Sequence, residues 1–184
     1  MKKAKRFIVG GLIIAAALIL IIGLSSAIIR QPYENRYNEY TDKLELVASN
    51  AKLTGWNLLI FDADEYFGTE FMWAQILGCV ICWFALLTAL LTAIFGGLVM
   101  AKNSKKFRLT ILIVSVILQT IQSFLYMAFG VAVTAVFKSF DEICYTTAFV
   151  PFIFITMFHA AAFVCNFALR DEEKNTALSD NTAA

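Results

Sequence analysis

Four long stretches of the chain carry no Asp, Glu, Lys or Arg: residues 7–29, 71–101, 109–137 and 143–169. Each exceeds the roughly 20 apolar residues with which an α-helix crosses a hydrocarbon core of about 30 Å. Backbone polar groups have no water to bond in lipid, so a single stretch of this kind crosses a bilayer only as a helix. Together the stretches take up about 110 of the 184 residues, which leaves little chain for a water-soluble domain. The sequence therefore predicts an all-α membrane protein, an antiparallel four-helix transmembrane bundle.

Charge sets the expected orientation. Lys2, Lys3, Lys5 and Arg6 crowd residues 1–6, Lys102, Lys105, Lys106 and Arg108 crowd residues 102–108, and Arg170 and Lys174 open the 170–184 tail. Positive residues collect at the cytoplasmic ends of spans, which places both termini and the 102–108 loop inside. Residues 30–70, with eight acidic and four basic side chains, and the 138–142 turn fall outside. The tail has the composition of a disordered segment. A rival reading makes residues 1–27 a cleaved secretory signal ending at Ser25-Ser26-Ala27. The apolar run Phe7–Leu24, 18 residues, is longer than the usual signal core of about 7–15 residues, which favours an uncleaved span.

The outside segment is expected to cap the bundle. Pro32 suits a helix start and Gly55 a helix stop, and Tyr33, Tyr37, Tyr40, Leu44, Val47 and Ala51 recur at helical spacing. These features predict an extracytoplasmic amphipathic helix over 32–55, with its tyrosines at headgroup depth. The apolar Trp56–Phe61 would fold back on the span ends as a short strand or plug. Asp62, Asp64 and Glu65 lack the ligand spacing and central glycine of a calcium loop and read as a solvated acidic turn. The segment has no cysteine and the chain has no Asn-x-Ser/Thr site, so a bacterial plasma membrane is the simplest setting for this multi-pass chain.

Inside the spans, small residues mark expected helix seams: Gly11, Ala15, Gly23 and Ala27 in span 1, and Ala89, Ala93 and Gly97 in span 2. Span 3 carries a polar stripe of Ser115, Gln119, Gln122 and Tyr126 that must face protein or water. Antiparallel running brings His159 of span 4 to the depth of these glutamines, with Thr156 and Asn166 nearby. A hydrogen-bonded intramembrane polar cluster of Gln119, Gln122 and His159 is the expectation. Pro151, inside the fourth stretch, would free the Thr147 carbonyl and bend the helix.

Chemistry-bearing motifs are few. Gly78-Cys79-Val80-Ile81-Cys82-Trp83 locally resembles the quinone-linked membrane oxidoreductases that reoxidise periplasmic disulfide catalysts, which also have four spans and a Cys-x-x-Cys early in span 2. That resemblance implies Cys79 and Cys82 as a redox pair. The family's second pair, between spans 3 and 4, is replaced here by Cys144 alone, and no arginine follows Cys82. Claudin-like proteins share the long first outside loop, but their Trp-x-Gly-Leu-Trp and loop cysteines are missing. Tetraspanins carry their large loop between spans 3 and 4.

No nucleophile–base pair, phosphate loop, metal-ligand set, cofactor motif or nucleic-acid patch is present, so catalysis is not expected. The sequence reads best as a non-enzymatic scaffold or accessory subunit in the lipid bilayer. It would work through helix–helix contacts with a membrane-protein partner or as a homo-oligomer. A small-solute transporter or channel built on Gln119, Gln122 and His159 is the alternative. A membrane thiol–disulfide oxidoreductase comes third.

Overall fold

A computed structural model describes residues 2–31, 33–38, 40, 42–48, 51–60, 71–102, 104–138 and 144–168. Four long helices pack together: α1 (Lys2–Gly23), α3 (Met72–Ala101), α4 (Lys105–Lys138) and α5 (Val150–Ala168). Each contains a segment apolar and long enough to cross a membrane. The chain is thus a small multi-pass membrane protein. Leu87, Leu90 and Ile94 of α3, Ile117, Ile121 and Phe124 of α4, and Ile153, Phe154 and Met157 of α5 lie exposed on the bundle's outer faces, where apolar side chains meet lipid tails at no cost.

Small residues hold the helices close. The buried face of α3 reads Ala74, Gly78, Cys82, Ala85, Ala89, Thr92, Gly96, a small side chain at every turn. A Cβ on Gly10 would lie 2.6 Å from the Gly96 carbonyl oxygen, so α1 and α3 touch backbone to backbone there. Of the seam expected through Ala89, Ala93 and Gly97, Ala89 is buried and Ala93 packs half-buried against the core, but Gly97 falls outside it. Gly97 has open space around it and Gly96 makes the approach.

The described residues between Ala27 and Thr54 form four strands, which corrects the amphipathic helix expected over 32–55. β1 (Ala27–Arg30) pairs antiparallel with β4 (Lys52–Thr54), and β2 (Tyr33–Asn38) with β3 (Lys43–Ala48). The Gln31 amide donates to the Ala51 carbonyl between the two sheets, so the four strands form one long hairpin. The helical spacing of the tyrosines concealed a second period. Positions 33, 35 and 37 pair with 48, 46 and 44 and share one face of the ribbon, as alternation requires. Tyr33 and Tyr37 lie on that face, and Asn38, Lys43, Glu45 and Val47 on the other. Asp42 turns the chain at φ 53°, a left-handed conformation that Asp tolerates better than most residues.

After β4, Thr54 caps the five-residue α2 (Gly55–Leu59). Its hydroxyl accepts from the Asn57 amide while the Asn57 side chain accepts from the Thr54 amide. Leu58 and Leu59 are buried, so Trp56–Leu59 does fold back, as a helical turn. The acidic Asp62, Asp64 and Glu65 lie outside the described residues.

The fourth charge-free stretch is helical only from Val150. Pro151 therefore sits in the first helical turn, where a missing amide costs nothing. The Thr147 carbonyl accepts from Val150, and the expected bend inside span 4 is replaced by a helix start. Residues 145–147 instead run beside β1. Arg30 and Tyr145 exchange both backbone bonds, at 2.8 and 3.1 Å, and the Thr147 amide donates to the Ala27 carbonyl at 2.8 Å.

Candidate functional site

Two regions carry the chain's unusual polar chemistry. The first is a spine along α4. Ser115, Gln119, Gln122, Ser123, Tyr126 and Thr134 are all buried, on the face that spacings of three, four and eight residues align. The Gln119 side-chain amide donates to the Thr92 hydroxyl at 2.6 Å and that of Gln122 to the Ile81 carbonyl at 2.8 Å. The Ser123 hydroxyl donates to the Gln119 carbonyl. Further along, the Tyr126 hydroxyl donates to the Ser26 carbonyl at 3.0 Å and the Thr134 hydroxyl to the Ile28 carbonyl at 3.3 Å.

These bonds have a structural reason. α1 stops at Gly23, about 33 Å long at helical rise, whereas α3 and α4 continue to about 45 and 51 Å. The backbone from Leu24 to Arg30 therefore leaves its helix while still packed among the others. Irregular backbone at such depth is tolerated only when protein satisfies it. Tyr126, Thr134, Thr146 and Thr147 do this, supplying hydroxyls to the carbonyls of Ser26, Ile28 and Ala27. The Thr147 hydroxyl also accepts from the Ala27 amide.

The glutamines and His159 are all buried, but hydrogen bonds tie the glutamines to α3 and not to α5. Neither ring nitrogen of His159 makes a hydrogen bond. The Ser115 hydroxyl and the Gln119 side-chain oxygen are also unbonded. Leu112 and Ala162 share one packed cluster. Ser115 and His159 each lie one turn from these along their own helices, toward the strands. Thr156 bonds only back to Phe152 in its own helix, and Asn166 accepts from Arg108 at 2.9 Å.

Cys79 and Cys82 are free and buried. Cys82 continues the small-residue face of α3, and its sulfur would lie 3.2 Å from a Cβ built on Gly55, so ordinary close packing explains it. Cys144 donates to the Thr134 carbonyl at 3.6 Å. Among the described residues, no group of three His, Cys, Asp or Glu side chains could hold a metal ion.

The second region is the β-arm, whose two halves differ. At its base, Ile28, Ile29 and Leu53 are fully buried. Alternation alone would expose one of two neighbouring isoleucines. The register slips between Ala27 and Ile29, and this bulge lets both turn inward. In the outer half, β2 and β3 pair with each other. Tyr33 and Tyr37 are 47% and 55% exposed, and Tyr40 is 100% exposed. Tyr37 donates to the Asp42 carboxylate, which raises its phenol above the ordinary value of 10.0.

Apolar grooves lie between helices. One, of about 90 Å³, lies between α3 and α4 and is lined by Trp73, Leu77, Phe129 and Val133. The other, of about 310 Å³, lies between α1 and α5 beside Gly23 and Pro151. Neither opens on the polar spine.

Sequence reasoning found the spine but not its partners, because Thr92 reads as an ordinary small residue and the Ile81 carbonyl has no sequence signature. It also missed the arm, whose signal was period-two alternation on both sides of an Asn-to-Asp turn. Comparison with protein-family models, curated proteins and solved structures finds no match. The class therefore rests on the fold itself: a multi-pass helical membrane protein with a strand-built arm at one end.

Proposed function

We propose that the chain is a non-enzymatic membrane scaffold or accessory subunit, oriented with its termini in the cytoplasm and its β-arm outside the plasma membrane. One observation carries this reading. The arm's base is bonded to residues 145–147 and to hydroxyls of α4, while its outer half presents exposed tyrosines. A rigidly held, exposed aromatic ribbon suits contact with another protein. The spine's bonds mostly join one element of the bundle to another, which suits a structural role.

Gentle crosslinking in native membranes, followed by purification, tests the proposal. The intact chain should carry a stoichiometric membrane-protein partner or a second copy. A chain in which residues 33–48 are replaced by a short Gly-Ser turn should lose it while keeping its thermal midpoint in detergent. An uncomplexed monomer would overturn the reading.

A second reading draws on the unbonded atoms of Ser115, Gln119 and His159. Buried polar atoms left unpaired call for a reason, and a small polar solute passing along the spine would supply one. Flux of such solutes into liposomes, abolished by His159→Leu, would support it. Its absence would leave the scaffold.

A further inference from the structure

We infer that the middle of the bundle is a binding site for a small uncharged molecule that both donates and accepts hydrogen bonds, of the size of water or ammonia. This concerns what the bundle holds and not what crosses it, so it rests neither on the scaffold reading nor on a solute path. The packing of the helices marks the place. One apolar cluster joins Val9, Ile13, Val99, Leu112 and Ala162 toward the lysine-rich end. Another includes Ala17, Ala89, Tyr126 and Ile155 and extends toward the strands. On each helix the passage from one to the other crosses buried residues that belong to neither: Ala16 on α1, Thr92 on α3, Ser115 and Gln119 on α4, and His159 on α5. Two bonds hold this layer in register. Gln119 donates to Thr92 at 2.6 Å, and Arg108 donates to Asn166 at 2.9 Å. About two turns from the second bond lead along α4 to Ser115 and along antiparallel α5 to His159.

Bonding is incomplete in this layer. Among the described residues, five buried side-chain polar atoms make no hydrogen bond, and four of them lie here: the Ser115 hydroxyl, the Gln119 oxygen and both ring nitrogens of His159. Ser115 and Gln119 are 0% exposed and His159 4%, so bulk solvent does not satisfy them. Buried groups of this kind are ordinarily bonded. Their chemistry defines the guest. A serine hydroxyl donates and accepts, an amide oxygen accepts, and a neutral imidazole offers one N–H and one bare nitrogen. A molecule bonded to all three side chains must carry lone pairs and hydrogens together, as water and ammonia do. Residues 7–29, 71–101, 109–137 and 143–169 hold no charged side chain, so nothing in the layer offsets the charge of an ion. Close-packed helices favour the smallest guests. Such a bridge bonds nearly as well as a direct partner but costs entropy to fix. It therefore adds little to stability, and occupancy is what reports the site.

The chain has one histidine, so isotope labelling of that residue type addresses His159 alone. In the full chain in lipid bilayers, solid-state NMR polarisation starting on water protons should reach the ring nitrogens about fivefold faster than the backbone amides of Leu112 and Ala162, which lie in the apolar cluster one turn away. Ser115→Ala and Gln119→Leu each remove one partner and should slow the transfer about threefold. Thr156→Val, at a hydroxyl that bonds back within α5, should leave it unchanged. A second arm adds isotope-labelled ammonia to the same chain. Transfer from water that ammonia does not alter identifies water as the guest. A contact between the ammonia nitrogen and the ring, appearing as the water transfer falls, identifies ammonia. Ring nitrogens reached by neither molecule would overturn the site. So would a transfer that survives Ser115→Ala and Gln119→Leu undiminished.

Discussion

The two halves of the β-arm share one hairpin and lead opposite lives. In the base, β1 has partners on both sides, β4 and residues 145–147, and its isoleucines reach the core through a bulge. In the outer half, β2 and β3 have each other and three exposed tyrosines. The base belongs to the fold and the outer half to the surface. Fixing one end so firmly lets the other be presented in a set direction without a packed domain of its own.

The largest expected difference between the halves is in core burial. Ile29→Ala should lower stability by about 2–5 kcal/mol, because a fully buried side chain is lost and a cavity remains. Tyr37→Ala, in the outer half, should change the monomer by no more than about 0.5 kcal/mol. Chemical or thermal unfolding in detergent measures both. Equal losses would erase the distinction between fold and surface.

Hydrogen bonding should separate the two ends of the spine in the same way. Tyr126→Phe and Thr147→Val each leave a buried backbone group at the base short of a partner, at about 1–3 kcal/mol. Nearer the lysine-rich end, Gln119→Leu removes one bond to Thr92 but also an unbonded side-chain oxygen. Thr92 still donates to the Thr88 carbonyl at 2.8 Å. The two effects offset, and Gln119→Leu should be neutral to within about 1 kcal/mol. His159→Leu should be neutral or mildly stabilising on the same grounds. A large loss at either site would show that these atoms are bonded in the membrane.

What could be read from the sequence followed from constraints that act locally. Charge-free runs announce spans because lipid excludes charge and unpaired backbone. The burial of Gln119, Gln122 and His159 was legible for the same reason. Where their bonds go was not, since a backbone carbonyl such as that of Ile81 is chemically the same at every position. The strand arm was misread because Tyr33, Tyr37, Leu44 and Ala51 satisfy a helical period while β2 and β3 satisfy a strand period, and pairing between strands decided between them. The end of α1 at Gly23 was hidden too. The apolar run continues through Ile28 and Ile29, which are buried as strand residues and not as helix.

The smallest effect probes the turn at the arm's end. Tyr37 is exposed, and its phenol is raised chiefly because it donates to the Asp42 carboxylate. The neutral phenol is the donor, so whatever the bond contributes is complete below the ordinary value of 10.0 and is lost as pH rises through the raised folded value. Asp42→Asn removes the charge and should move the Tyr37 transition down toward 10.0. The difference in ultraviolet absorbance titration between the two chains isolates this one tyrosine from the other five. The base should not respond, because Tyr126 donates to a neutral carbonyl far from Asp42 in the fold. A change at Asp42 that altered the unfolding midpoint of the whole bundle would mean that the outer half is wired into the base after all.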